Sequence, residues 1–118
     1  MNYALIDDDI NFCLSFQKEI LNYITSFTYF LNYSDFLKVK DDFDIVFLDI
    51  VMPKKDGITA TKEIIEIDPD AKVVMASSIG NKKNLKEALI AGAKEFVQKP
   101  IDFSQVTKII EALLKGGN

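Results

Sequence analysis

Ile45-Val46-Phe47-Leu48-Asp49-Ile50-Val51-Met52-Pro53 is the stretch on which the fold of this chain turns. Four apolar residues in succession meet a single carboxylate, and a proline follows four positions after it. An uninterrupted apolar run of this length reads as a strand buried on both faces, with Asp49 at its C-terminal end. In open α/β sheets the loops at that edge splay apart and leave a crevice, so a carboxylate placed there is a candidate for chemistry.

Similar short runs recur at Tyr3 to Ile6, Thr28 to Leu31, Val73 to Ala76 and Glu95 to Gln98, and segments of helical period separate them. The first helix is expected from about Asn11 to Tyr23, burying Cys13, Phe16, Ile20 and Ile24, with Asp9 or Asn11 as its cap. A short, weakly patterned helix follows at about Ser34 to Lys40. After the turn pair Asp56-Gly57, Thr59 to Ile67 presents Ala60, Ile64 and Ile67 on one face. Lys82 to Ala91 presents Leu85, Ala88 and Leu89 and stops at Gly92. Val106, Ile109, Ile110, Leu113 and Leu114 form the last stripe, with Asp102 as cap and Gly116-Gly117 as terminator. Strands alternating with helices imply right-handed βαβ crossovers and a mainly parallel, doubly wound α/β sheet. The 118 residues are expected to form one domain, with no repeat or linker inside it.

Composition excludes several functions. At 48% hydrophobic and 27% charged residues the chain has material for one globular core. A net charge of −4 disfavours nucleic-acid binding, which needs a basic surface. The absence of His removes histidine-based catalysis and histidine zinc ligands. Cys13 lies among Phe12, Leu14 and Phe16 and reads as a small buried hydrophobe. The N-terminus has neither a basic leader nor a long apolar span, so a cytoplasmic protein without a membrane segment is expected.

The first strand runs into Asp7-Asp8-Asp9. If the first and third strands are neighbours, these acids and Asp49 open into one crevice, where like charges repel unless a cation lies between them. Magnesium is the hard, oxygen-seeking ion that usually accompanies phosphate chemistry. Taken singly, each group also serves as a helix cap or a turn residue. Two acidic strand ends in one sheet favour a metal site. Ser77, after the fourth strand, and Lys99, after the fifth, add a hydroxyl and an ammonium that can hold phosphoryl oxygens. The fitting reaction is attack of Asp49 on a phosphoryl group, with the cation and Lys99 neutralising the oxygens.

With these residues placed, the chain resembles the response-regulator receiver domains of two-component signalling over essentially its whole length. The resemblance rests on Asp7-Asp8, on Asp49 with Met52-Pro53 and Asp56-Gly57, on Ser77, and on Lys99-Pro100. It implies a flavodoxin-like (βα)5 fold with strand order 2-1-3-4-5. It further implies that Asp49 accepts a phosphoryl group from a histidine kinase, and that Mg2+ is held by Asp8, Asp49 and the Val51 carbonyl directly and by Asp7 through water. Ser77 would be the switch hydroxyl, Phe96 the coupled aromatic and Lys99 the conserved cation. Such a domain is a signalling switch that catalyses only its own phosphorylation and dephosphorylation.

Ending after one domain, the chain looks like a stand-alone, CheY-like regulator of chemotaxis, or like a single-domain phosphorelay intermediate that passes its phosphoryl group to a histidine phosphotransfer protein. Ser77-Ser78-Ile79-Gly80 and the run from Ala91 to Pro100 fit the former. Output is expected through the surface of the fourth helix, fifth strand and fifth helix, at Lys82, Leu85, Lys86, Lys94, Phe96 and Ile101, on a monomer or weak dimer. Departures from the family lie between Thr25 and Asp44, where no Gly precedes the second helix and its bounds are open. Ser77 stands where Thr is commoner, and Phe96 where Tyr is. A haloacid-dehalogenase-type phosphatase would carry a second Asp two residues after its nucleophile, where this chain has Val51. A flavin carrier on the same fold would bind its phosphate after the first strand, where Asp7-Asp8-Asp9 would repel it.

Overall fold

The computed structural model describes residues 1–39, 43–51, 56–78 and 82–116. Five strands alternate with five helices: β1 (Tyr3–Ile6), α1 (Ile10–Ile20), β2 (Phe27–Phe30), α2 (Tyr33–Leu37), β3 (Ile45–Leu48), α3 (Gly57–Ile67), β4 (Lys72–Ser77), α4 (Lys82–Ala91), β5 (Glu95–Gln98) and α5 (Phe103–Gly116). All pairings are parallel, in the order β2-β1-β3-β4-β5. The parallel, doubly wound sheet is the one read from the strand and helix pattern, and its order is the flavodoxin-like one that the family resemblance implied.

Strand alternation divides the core into two layers. Ala4, Ile6, Val46, Leu48, Val73 and Met75 face Tyr33 and Phe36 of α2, Ala60 and Ile64 of α3, and Ala88 of α4. Tyr3, Leu5, Ile45, Phe47, Val74 and Ala76 face Cys13, Phe16 and Ile20 of α1 and Val106, Ile109 and Ile110 of α5. Because β1 and β3 are apolar on both faces, only a central position buries all of their side chains. The second layer is centred on Phe16, whose ring meets those of Phe27, Phe47 and Phe103 at 5.1–5.6 Å between centroids. The chain turns back in strand order between β1 and β3, which makes their C-terminal ends the crevice of the sheet.

Several boundaries differ from expectation. Helix α1 stops at Ile20 rather than Tyr23: the N–H of Asn22 bonds to the carbonyl of Glu19 and that of Tyr23 to Ile20, tight turns that carry the chain toward β2. Ile24 therefore packs from the loop, not from the helix. Helix α2 begins one residue early, at Tyr33, because Asn32 caps it through the N–H of Asp35 at 2.8 Å. The expected limit at Lys40, and the Met52-Pro53, Ile79-Gly80 and Gly117 signals, lie outside the described residues. Ile67 ends α3 at 44% exposure instead of completing its buried face, which is Ala60, Thr61 and Ile64. Among the described side chains of α4 only the small residues Ala88 and Ala91 are buried, while Leu85 and Leu89 point outward with Ile90. Small residues let the helix axis approach its neighbours closely, and that excludes the leucines from the contact. Gly92 then takes φ +116°, the left-handed conformation that ends a helix without a side-chain clash.

Candidate functional site

The register of β1 and β3 places their acids side by side. Ile6 pairs with Leu48, and the N–H of Asp49 continues the ladder to the carbonyl of Ile6 at 3.1 Å. Asp7 continues the alternation Tyr3-Leu5-Asp7 and Asp49 continues Ile45-Phe47-Asp49, so both carboxylates follow the α1/α5 face. Both are buried, Asp7 completely, and with exposed Asp8 their ligand oxygens all lie within 4.8 Å of one another. Asp9, the third acid of the run, instead caps α1 through the N–H groups of Asn11 and Phe12.

Lys99 enters this acidic group from β5. Its N–H donates to the carbonyl of Ser77 at 3.0 Å, which fixes the backbone, and its ammonium reaches Asp7 Oδ2 at 2.7 Å and Asp49 Oδ2 at 3.8 Å. The other oxygens are also bonded: Asp7 Oδ1 accepts the N–H of Asp9 and Asp49 Oδ1 that of Val51. One ammonium does not offset three clustered acids. Burial first, and the Asp7 charge second, push the Asp49 carboxyl up to about 6 against the attraction of Lys99.

A carboxyl held above its unfolded value opposes folding once ionised. In metal-free protein this penalty is absent below the ordinary value of 3.8 and grows until the pH has risen through about 6. Asp49→Asn, which keeps the shape and removes the charge, is therefore expected to stabilise the chelated protein at neutral pH by on the order of 2 kcal/mol and to have little effect near pH 4. Urea denaturation at both pH values measures this.

The remaining sequence candidates fall in different places. Ser77 closes β4 at the same sheet edge and is 1% exposed. Val51 lies two residues after Asp49 with its side chain exposed. Phe96 pairs with Met75 and packs on the α2/α3/α4 layer, whereas Ile101 packs on the α1/α5 layer, so β5 separates these two members of the expected output surface. Lys86 and Lys94 are exposed, Leu85 is 39% exposed, and the Lys82 side chain lies outside the described residues.

Two features of the site escaped the sequence reading. Gly57 is not merely a turn residue. It is the first residue of α3, its N–H bonds to the carbonyl of Ile50 at 2.7 Å, and Asp56 caps the helix through the N–H of Thr59 at 2.8 Å. The other is the Phe12 ring, with Lys99 Nζ 4.0 Å from its centroid. Asp56 followed three residues later by Thr59 was a readable cap signal, while nothing in the sequence marked Phe12.

Comparison with known proteins agrees with this geometry. The family model for the response regulator receiver domain matches residues 4–111. Chemotaxis protein CheY of Treponema pallidum is 47% identical over 72 residues, a match covering 61% of this chain and 50% of that protein, so the chain spans about half the length of this relative. The CheX-CheY-BeF3-Mg2+ complex from Borrelia burgdorferi contains a chain 31% identical, with TM-score 0.80 over 97% of this chain and 89% of that one. The signal receiver domain of a DNA-binding response regulator from Colwellia psychrerythraea, 21% identical, shares the fold at TM-score 0.89 over 98% of each chain.

Proposed function

We propose, since this chain belongs to the response regulator receiver domain family, that it is a phosphorylation-activated switch whose phosphoacceptor is Asp49. The supporting observation is the cluster itself: Asp7, Asp8 and Asp49 with ligand oxygens within 4.8 Å, and Lys99 against two of them. The donor set is all hard oxygen and carries excess negative charge, which fits Mg2+. Asp8, Asp49 and the Val51 carbonyl are the proposed direct ligands. Both oxygens of buried Asp7 are already bonded, to Lys99 and to the N–H of Asp9, which suits a role through water. The cation supplies charge neutralisation to the phosphoryl oxygens when bound.

In the proposed reaction an Asp49 carboxylate oxygen attacks phosphorus. The bond from phosphorus to the donor atom breaks, and the leaving group departs with the electron pair and takes a proton from solvent. Lys99 neutralises charge on the transferred oxygens, and Ser77 is the hydroxyl proposed to engage them. Hydrolysis of the acyl phosphate later restores the carboxylate, so the chain acts as a switch and not as a turnover enzyme. A histidine kinase or phosphotransfer protein is the proposed donor. The cytoplasm is the proposed setting; among the described residues no helix is long and apolar enough to cross a membrane.

Output is proposed through the region of α4 and β5, at the exposed Leu85, Lys86 and Lys94 and the half-buried Phe96 and Ile101, with Lys82 the remaining candidate. Phosphorylation would favour one of two arrangements of that surface, which a partner must tell apart. The similarity to chemotaxis proteins favours a CheY-like role over that of a phosphorelay intermediate. The test is labelling by acetyl phosphate or phosphoramidate with Mg2+. The wild type is expected to take one phosphoryl group and Asp49→Ala none; undiminished labelling of Asp49→Ala would overturn the assignment.

A further inference from the structure

We propose that Phe12 is a positioning residue for Lys99, holding its ammonium at the rim of the acidic crevice through the face of the ring; this rests on the phosphoacceptor reading of Asp49. Among the described residues the ammonium is attracted by Asp7 Oδ2 at 2.7 Å, Asp49 Oδ2 at 3.8 Å and the ring of Phe12, whose centroid is 4.0 Å away. A lysine head is a point charge on a flexible four-carbon stem, and bonding of its backbone N–H to Ser77 leaves that stem free to rotate. Carboxylates alone would draw the head to whichever oxygen is nearest. The head is already in a contact ion pair with Asp7, and the ring face adds an attraction that is not an ion pair, which limits the swing of the head about that contact and keeps it 3.8 Å from Asp49.

The ring is itself firmly supported. Phe12 lies in the first turns of α1, where the Asp9 carboxylate accepts its N–H at 3.2 Å. Its ring lies 5.8 Å from that of Phe16, the residue at the centre of the α1/α5 layer. An aromatic path thus runs from the core to the reactive charge. On its outer side Phe12 borders an open groove shared with Ser15, Lys99, Pro100 and Ile101. Shortening the side chain there widens a surface groove and does not hollow the core, so substitution is compatible with folding.

Phe12→Leu keeps apolar volume and removes the ring, while Phe12→Tyr keeps the ring. With phosphoramidate and saturating Mg2+, Phe12→Leu is expected to label about three- to thirty-fold more slowly than wild type, the range of a partly desolvated cation–ring contact. Phe12→Tyr is expected to restore the rate, and Mg2+ affinity to hold in both. In parallel, the Lys99 methylene next to the ammonium is expected to show a ring-current shift by NMR in the wild type and to lose it in Phe12→Leu. Wild-type labelling by Phe12→Leu overturns the proposal, as does equal slowing of the Leu and Tyr variants, which would signify packing alone. An unlabelled wild type would sink the phosphoacceptor reading and leave the contact to the NMR signals, where an unmoved Lys99 resonance in Phe12→Leu overturns it.

Discussion

Gly57→Ala is expected to cost roughly 3 kcal/mol or more in stability, the upper range for forcing extra volume into a packed site. A Cβ at this position would lie 2.3 Å from the carbonyl oxygen of Asp49, 2.6 Å from Ile50 Cα and 2.9 Å from the Asp49 carbonyl carbon. All three are backbone atoms, so no rotamer change relieves the clash. The space is absent because the N–H of Gly57 is bonded to the Ile50 carbonyl at 2.7 Å, tying the start of α3 to the end of β3. One of the two must withdraw. If it is β3, Asp49 moves out of register with Asp7, and labelling should fall together with stability. Denaturant midpoints and phosphoramidate labelling of the same variant measure the two effects.

Lys99→Met should destabilise the chelated protein by roughly 2–3 kcal/mol, less than for a fully buried pair because its side chain is 19% exposed. The methionine fills the stem's volume, so the loss is chiefly electrostatic. Asp7, 1% exposed at its side chain, would retain its bond from the N–H of Asp9 but lose the cation at 2.7 Å. Mg2+ is expected to restore part of the loss by supplying positive charge to the same acids. An equal loss with chelator and with Mg2+ would argue that Lys99 acts through packing. The opposite signs expected for Lys99→Met and Asp49→Asn share one cause, an excess of carboxylate over ammonium in a largely buried crevice.

The parts of this site that lie on strands were legible because a strand has period two. Once Ile45 to Leu48 and Tyr3 to Ile6 are read as central neighbours, Asp49 and Asp7 must emerge together on one face. Lys99 was placed at the same edge by the same reasoning applied to β5. Its closer approach to Asp7 than to Asp49 was not readable, because it depends on a flexible side chain choosing among partners far apart in the chain. The contact of Gly57 with Asp49 is likewise tertiary: a Gly after an Asp signals a turn, and only the docking of α3 on β3 makes the missing Cβ a necessity.

Helices were read less well where small residues do the packing. On α4 the hydrophobic pattern gave Leu85, Ala88 and Leu89 as one face; Ala88 is buried as expected, together with Ala91, but the two leucines remain outside. Periodicity identifies apolar faces but not which of two adjacent faces meets a neighbour. The stripe expected on α5 fared better: Val106, Ile109 and Ile110 are buried and Leu113 packs against their layer, while Leu114 at its edge is 42% exposed.

The position of the acyl phosphate is the most direct measurement to make. After incubation with phosphoramidate and Mg2+, peptide mapping by mass spectrometry is expected to find one phosphoryl group, on Asp49, and to find none when the divalent cation is chelated. A phosphoryl group on any other residue, or label that forms as readily in chelator, would contradict the assignment of Asp49 as a cation-dependent phosphoacceptor.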